Sequence, residues 1–123
     1  MANEDRLRLT VRQIDASTSI IGILGELTID AETALLAAYD EACGPDTRAV
    51  ILDFSGLTYM NSGGIGLLVT LMIRMQRQRQ RLLAFGLSEH YRKILDMTRL
   101  EDVIGVHDSE AAALAAAHTP QTP

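Results

Sequence analysis

The sequence predicts an α/β fold with a mixed, mostly parallel sheet of about five strands and about four helices. Residues 7–12 alternate between apolar and polar side chains, as in a strand with one face in water. From about residue 30 onward, helix-period segments alternate with short apolar runs, which favours parallel strands joined by helices. The 123 residues contain no internal repeat or linker, so residues 1–118 are interpreted as one domain and residues 119–123 as a disordered tail.

The N-terminal part predicts an antiparallel hairpin. A polar, turn-like segment at residues 15–18 separates the first strand from an apolar second strand at residues 20–25. Gly22 and Gly25 within or beside that strand indicate a bulge or a close backbone approach.

A first amphipathic helix follows, with alanine and leucine at helical spacing up to Ala42. Thr28 or Asp30 is suited to cap its start. Gly44 and Pro45 end it, since glycine suits the left-handed position after a helix and proline cannot continue one.

The third strand, residues 49–54, is almost wholly apolar, as is usual for a central strand covered on both faces. A loop then leads to a helix from about Gly64 to Gln80, and Ser62 lies where the loop becomes the helix. A serine there can cap the helix, which stabilises by roughly 1 kcal/mol. It can also be a hydroxyl open to modification, because a phosphate would meet free N–H groups and the positive end of the helix dipole. The two roles are compatible.

This second helix carries two apolar stripes. One interpretation is that it packs against both the sheet and a neighbouring helix. The other is that the second stripe is a landing surface for a partner. The stripes consist of Leu68, Leu71, Met72 and Met75, and of Ile65, Val69 and Ile73. Arginines at the far end of the helix complement its negative C-terminus, and an acidic partner patch is a secondary interpretation.

The C-terminal third predicts a strand at residues 82–86 and a helix capped by Ser88. A last strand falls within residues 102–107, and an alanine-rich helix starts at Ser109 and Glu110 and runs to about His118. The inner side of the Ser88-capped helix is assigned to Tyr91, Ile94, Leu95 and Met97.

Composition argues against several classes of function. The net charge of −5 and the 4% aromatic content disfavour a nucleic-acid surface. The single cysteine, Cys43, is interpreted as a small buried or half-buried residue, and no residue spacing suggests a metal or cofactor site. No signal peptide or membrane span is recognised, so a cytoplasmic protein without a membrane partner is expected.

With these elements placed, the chain resembles the sulfate-transporter and anti-sigma-factor-antagonist domain, the STAS domain, over about residues 7–117. The resemblance rests on the joint order and spacing of four segments. They are Gly25-Glu26-Leu27, residues 50–55 (VILDFS), residues 61–66 (NSGGIG) and residues 94–100 (ILDMTRL).

The resemblance implies a bacterial signalling protein of transcription regulation and the stress response. Stand-alone members of the family bind an anti-sigma factor that is a serine kinase, which frees a sigma factor. The kinase phosphorylates a serine at the start of the second long helix, and a phosphatase reverses the step. By motif that serine is Ser62, and the implied partner surface comprises Thr28, Asn61, Ser62, Gly63, Gly64, Ile65 and Val69. A homodimer is a further expectation.

Three positions depart from the family pattern. Asn61 replaces the usual acid of Asp-Ser-Ser-Gly, Gly63 replaces the second serine, and Thr28 stands where an acid often follows Gly-Glu-Leu. Asn61 can cap a helix but offers no carboxylate. A scaffold or ligand-sensing module that phosphorylation does not regulate is therefore the alternative function. An enzyme with Ser62 as nucleophile is disfavoured, since the Gly-x-Ser-x-Gly spacing is absent and no catalytic residues are assigned.

Overall fold

The computed structural model describes residues 7–119, which form a five-stranded sheet whose strands are ordered as they occur in the chain. The strands are β1 (Arg8–Asp15), β2 (Thr18–Leu27), β3 (Ala49–Met60), β4 (Arg81–Phe85) and β5 (Gly105–His107). β1 pairs antiparallel with β2, and every later pairing is parallel. The predicted mixed sheet with an N-terminal hairpin is confirmed. Four residues of the predicted tail, 120–123, lie outside the described residues.

Within residues 7–119 the helices are α1 (Glu32–Ala42), α2 (Ser62–Arg77), α3 (Glu89–Met97) and α4 (Glu110–Ala117). The predicted Ser88 cap of α3 is confirmed, and Ser109 caps α4 at its predicted start. The Ser88 hydroxyl accepts the N–H of Tyr91 at 3.3 Å, and the Ser109 hydroxyl accepts that of Ala112 at 3.1 Å. Short 3₁₀ turns precede α1 (Ile29–Ala31) and follow α3 (Leu100–Asp102).

The sheet separates two apolar clusters of unequal size. α1 and α2 pack with alternate residues of β2 and β3 on one face, where Ile21 and Leu52 are fully buried. On the other face Ala113 of α4 packs against Ile20, Ile51 and their neighbours. This alternation follows from the period of two along a strand. The nearly continuous apolar run of β3 is thus explained by cover on both faces.

Two element boundaries differ from expectation at the Ser62 junction. β3 continues past Phe54 to Met60, because Gly56, Tyr59 and Met60 pair with the end of β2. α2 begins at Ser62 rather than Gly64, so that Asn61 alone separates strand from helix. Register shifts beside Gly22 and Gly25 confirm the predicted irregularity of β2, and Gly25 has a φ of 98°.

Three smaller expectations are wrong. α1 ends at Cys43 in an extended conformation, and the positive-φ glycines among residues 7–119 are Gly25 and Gly86, not Gly44. Met97 is 72% exposed rather than on the inner side of α3. The last strand is only three residues long, because Leu100–Asp102 turns as a 3₁₀ helix before it.

Candidate functional site

The candidate site lies at the carboxyl ends of β2 and β3. These strands are parallel, and Leu27 pairs with Met60 at their ends. The residues that follow each strand therefore meet at one edge of the sheet, the usual place for binding sites in parallel sheets. The structure thus brings Thr28 to the same edge as Asn61 and Ser62, although they are far apart in the chain.

Asn61, not Ser62, caps α2. The Asn61 side-chain oxygen accepts the N–H of Gly64 at 3.0 Å, and its backbone is extended as in a typical N-cap. Ser62 is the first helical residue and is exposed. Within residues 7–119 its hydroxyl makes no hydrogen bond. The capping interpretation of Ser62 is wrong, because the strand extends further than its apolar run and shifts the cap by one residue.

Gly63 and Gly64 allow the first turn of α2 to pack on the chain that leaves β2. A Cβ at Gly64 would lie 2.1 Å from the carbonyl oxygen of Leu27, a distance that no side chain tolerates. A Cβ at Gly63 would lie 3.0 Å from Cβ of Ile29. These contacts give a local reason for glycine at both positions, including the one where the family pattern has its second serine.

Tyr91 holds the strand end from α3. Its hydroxyl oxygen accepts the backbone N–H of Met60 at 3.0 Å, one residue before the cap. The sequence reasoning placed Tyr91 on the inner side of its helix but missed this contact. No local pattern signals a bond between residues 31 positions apart.

Thr28 is half-buried and caps the 3₁₀ turn that leads into α1. Its hydroxyl accepts the N–H of Asp30 at 3.3 Å, which confirms the capping interpretation. Thr28 also lines a concavity of about 470 Å³ whose other polar walls are Glu26 and Asp30. The exposed carboxylates of this site are therefore those of Glu26 and Asp30, two positions before and two positions after Thr28.

The second apolar stripe of α2 divides between core and surface. Ile65 is half-buried and packs against the larger cluster. Val69 is half-buried and lies outside the two clusters, and Ile73 is 43% exposed. Two residues that the sequence reasoning missed add exposed apolar area near the junction. They are Ile29, which is 57% exposed and lies where a Cβ on Gly63 would reach it, and Tyr59, which is 46% exposed and next to Met60.

The helix dipole at the start of α2 favours a negative group. The first turn contains no acidic side chain, and the helix dipole is positive there. None of the three histidines is hydrogen-bonded to Ser62 in the described part of the chain. His118 lies at the hairpin turn, where its Nε2 is 2.8 Å from the carboxylate of Asp15.

Two kinds of feature are absent from residues 7–119. No group of three or more His, Cys, Asp or Glu side chains there is arranged to hold a metal ion. In the same residues no helix has the length and apolar character needed to cross a membrane.

Comparison with known proteins assigns the family. The family model described as Mlab, STAS domain, matches residues 10–106. The anti-sigma-B factor antagonist of Listeria monocytogenes is 28% identical over 109 residues, which cover 85% of this chain and 91% of that protein.

Solved structures share the fold. An anti-sigma factor antagonist from Mycobacterium paratuberculosis superposes with a TM-score of 0.80 at 18% identity, covering 97% of this chain and 100% of that one. SpoIIAA in its unphosphorylated form gives 0.72 at 21% identity, covering 93% and 100%. SpoIIAA of Bacillus in the phosphorylated form gives 0.64 at 19% identity, covering 89% and 98%. Because the family model spans most of the chain and the sheet order agrees with the resemblance, this protein belongs to the STAS domain family.

Proposed function

We propose that this protein is an anti-sigma-factor antagonist, a non-enzymatic binding switch controlled by phosphorylation of Ser62. In the unphosphorylated form it sequesters an anti-sigma factor that is a serine kinase. Phosphorylation by that kinase breaks the complex, and a cognate phosphatase restores it. The partner surface consists of Thr28, Asn61, Ser62, Gly63, Gly64, Ile65 and Val69, and we extend it to Ile29 and Tyr59.

The exposed, unbonded hydroxyl of Ser62 carries the proposal. Because Asn61 supplies the cap, modification of Ser62 removes no hydrogen bond from α2. A phosphate adds about −1.5 to −2 charges, which the helix N-terminus accommodates. The fold is therefore expected to keep its stability on phosphorylation.

The surroundings of Ser62 explain why the complex would not survive the same change. Ile29 and Tyr59 are exposed apolar side chains at this junction, and the half-buried Ile65 and Val69 follow along α2. A partner that covers them would also remove Ser62 from water. Burying a doubly charged phosphate in an apolar interface carries a large desolvation penalty.

Two similar proteins support the proposal. The Listeria protein is an anti-sigma-B factor antagonist, and SpoIIAA of Bacillus has been solved in a phosphorylated form with the same fold. A fold that tolerates phosphate is what the exposed position of Ser62 suggests here.

The first test is phosphosite mapping of the protein purified from its own cells, during growth and under stress. We expect phosphate on Ser62 and none on Ser88 or Ser109, whose hydroxyls are engaged as caps. These two serines are internal controls at helix starts, one position earlier in the helix than Ser62. Protein that is unmodified at Ser62 under both conditions would contradict the switch.

The second test is Ser62→Asp, with Ser62→Ala as the matched control. Tagged wild type and Ser62→Ala should retain the kinase from cell extracts, whereas Ser62→Asp should lose it. An acidic side chain in the first turn interacts favourably with the helix dipole. The free energy of unfolding of Ser62→Asp should therefore equal that of wild type or exceed it by about 0.3–1 kcal/mol. Urea denaturation measures this. Retention of the kinase by Ser62→Asp as strong as by wild type would contradict the proposal.

Asn61 favours a second candidate function. Its amide offers no carboxylate to a partner's cation or to phosphotransfer, and its oxygen is already engaged by Gly64. A scaffold or ligand-sensing module of a larger signalling assembly needs no such group. The phosphosite experiment separates the two, because a scaffold carries no phosphate on Ser62.

A further inference from the structure

A group of arginines lies at the end of the sheet opposite Ser62. Arg48 precedes β3 and Arg81 begins β4, and the backbone N–H of Arg81 donates to the carbonyl of Arg48 at 2.8 Å. Arg79 lies in the turn between α2 and β4. These three line one concavity of about 430 Å³, which we call the arginine groove, together with Ser17, Ala117, His118 and Thr119.

The arginine groove is remote from the site already described. Ser62 lies two residues after the end of β3, and Arg48 directly precedes its first residue. A strand of 12 residues spans roughly 35–40 Å. A partner seated on Ser62 and the first turns of α2 would leave the arginine groove open.

Arg79 occupies a conformation that favours glycine. Its φ is 59°, in the left-handed region that ends α2, and the N–H of Gln80 donates back to the carbonyl of Met75 at 2.9 Å. This is the helix-ending geometry in which glycine is the usual residue. An arginine here strains the backbone but places a guanidinium at the groove.

Arg99 provides an internal comparison. It is the other non-glycine residue with positive φ among residues 7–119, at 65°, and it follows α3 in the same way. The guanidinium of Arg99 pairs with Asp102 at 2.9 Å, which gives it a local partner. Within residues 7–119 the ion pairs involve Arg12, Arg92, Arg99 and His118, so neither Arg48 nor Arg79 has one.

Arg81 is partly engaged. Its Nη1 donates to the carbonyls of Ala116 at 2.8 Å and Thr119 at 3.2 Å, at the end of α4. Within residues 7–119 Arg81 forms no ion pair, although Glu101 and Asp102 line a neighbouring concavity with it. Asp15 is the nearest acid to His118, and the 2.8 Å contact between them occupies its carboxylate.

The positive charge continues beyond the groove. Arg74 and Arg77, in the last turns of α2, line a second concavity of about 410 Å³, where Asp40 is the one acid. Five of the 11 Lys and Arg residues thus lie at this end of a chain whose net charge is −5. Charges spread over two shallow concavities fit a run of carboxylates better than one compact phosphate.

We infer that the arginine groove, with the adjoining Arg74 and Arg77, binds an acidic segment of a partner protein. The segment would contribute successive Asp or Glu side chains, and Arg48 and Arg79 would pair with them. This surface is independent of the phosphorylation state of Ser62. It lets the protein bind a second partner while the Ser62 surface is occupied.

The test uses the full chain and a fluorescein-labelled peptide of about ten glutamates, followed by fluorescence anisotropy at about 25 mM and about 200 mM salt. The variant Arg48→Gln/Arg79→Gly removes two groove charges and relieves one strained φ. The control Arg92→Gln/Arg99→Gly also removes two charges and relieves one strained φ, but at α3.

We expect the groove variant to weaken peptide binding at least about tenfold and the control to change it by less than about twofold. Ser62→Asp should also leave the affinity within about twofold, which separates this site from the proposed switch. Arg79→Gly alone should unfold at the same temperature as wild type or higher, because glycine tolerates the left-handed conformation.

Three results would overturn the inference. One is a peptide that does not bind the wild type at low salt. Another is an equal loss in the groove variant and its control, which would mean attraction to overall charge only. The third is displacement of the peptide by an equimolar amount of inorganic pyrophosphate, which would assign the groove to a compact phosphate ligand.

Discussion

Asn61 and Ser62 are adjacent at the start of α2 but have different roles in the structure. The Asn61 oxygen satisfies the N–H of Gly64, and the Ser62 hydroxyl is left exposed. Because one residue stabilises the helix and its neighbour does not, stability and regulation can be tested separately at this junction.

Removal of the cap should destabilise the fold, whereas removal of the Ser62 hydroxyl should not. Asn61→Ala is expected to lower the free energy of unfolding by about 1 kcal/mol, since an N-cap side chain is lost. Ser62→Ala should change it by less than about 0.5 kcal/mol, as for an exposed residue without partners. Urea denaturation of both variants is the measurement, and a larger effect at Ser62 than at Asn61 would contradict the assigned cap.

Gly64 and Gly66 provide a second matched pair on the same helix. Gly64→Ala should destabilise by more than about 2 kcal/mol, because the new Cβ would lie 2.1 Å from the carbonyl oxygen of Leu27. Gly66→Ala should stabilise the fold by about 0.5–1 kcal/mol. A Cβ added there would have no atom within 4 Å apart from its own helix backbone, and alanine favours a helix. Thermal and urea unfolding check both, and similar effects of the two substitutions would contradict the close packing of α2 on the end of β2.

At residue scale, the sequence identified the junction but not its geometry. The residue types Asn, Ser and Gly indicate a helix start, and the Ser62 hydroxyl is exposed in the structure. Which of two adjacent polar residues caps a helix depends on where the preceding strand ends. That end was set here by pairing of residues 56–60 with β2, a long-range effect that local periodicity does not contain.

At the scale of elements, the hairpin turn and α4 are joined through Asp15. Its carboxylate accepts the backbone N–H of Ser17 at 2.9 Å, contacts Nε2 of His118 at 2.8 Å, and accepts the Ser17 hydroxyl at 3.0 Å. These contacts lower the pKa of Asp15 from 3.8 to about 2, with the backbone N–H as the largest cause. The turn between β1 and β2 is therefore held by a carboxylate that stays ionised in mild acid.

The pH dependence of this contact follows from the direction of the pKa shift. A carboxyl group whose folded pKa is depressed stabilises the fold above its unfolded pKa of 3.8 and loses that effect as the pH falls toward about 2. Asp15→Asn should thus be less stable than wild type at neutral pH, and the difference should vanish near pH 2. Urea denaturation across this range measures it. A difference that grows as the pH falls would contradict the assigned contacts.

Elements also differ in how far the sequence predicted them. The starts of α3 and α4 carry local signals: Ser88 caps α3 as predicted, and Ser109 caps α4 at the start predicted for that helix. The predicted length of β5 is too great, because the apolar Val103 and Ile104 are typical strand residues. In the structure Leu100–Asp102 forms a 3₁₀ turn before the strand, and Ile104 is buried in the larger cluster. Exposed Ile29 and Tyr59 were missed, since an isolated apolar residue next to a turn does not reveal which way it points.

At the scale of the whole molecule, the order of strands and helices was the most predictable property. Alternating strands and helices leave few topologies, because parallel strands need crossovers of one hand. The unequal cover of the two faces was not predictable in this way. Nothing in the alanine pattern of α4 shows that it is the one helix of residues 7–119 on its face of the sheet, with Ala113 fully buried against Ile20, Ile51 and Leu83.

That asymmetry predicts unequal stability within one domain. Val50, Ile51 and Leu52 at the centre of β3 are fully buried, so their amides should exchange with solvent only when the whole chain unfolds. α4 is held by Ala113, by the Arg12 to Glu110 ion pair at 2.7 Å and by the His118 to Asp15 contact. Because surface ion pairs each contribute about 0–1 kcal/mol, the amides of α4 should exchange by local opening.

Native-state hydrogen exchange at increasing urea distinguishes local from global opening. Amides of β2 and β3 should share one free energy of exchange with a strong urea dependence, whereas those of α4 should show a lower value that depends weakly on urea. Equal free energies of exchange in α4 and in the sheet would mean that α4 unfolds only together with the sheet. Since Arg81 donates to the carbonyls of Ala116 and Thr119, local opening of α4 would also release a guanidinium of the arginine groove. An acidic peptide bound there should therefore change exchange in α4 more than in the first turn of α2, where Ser62 lies.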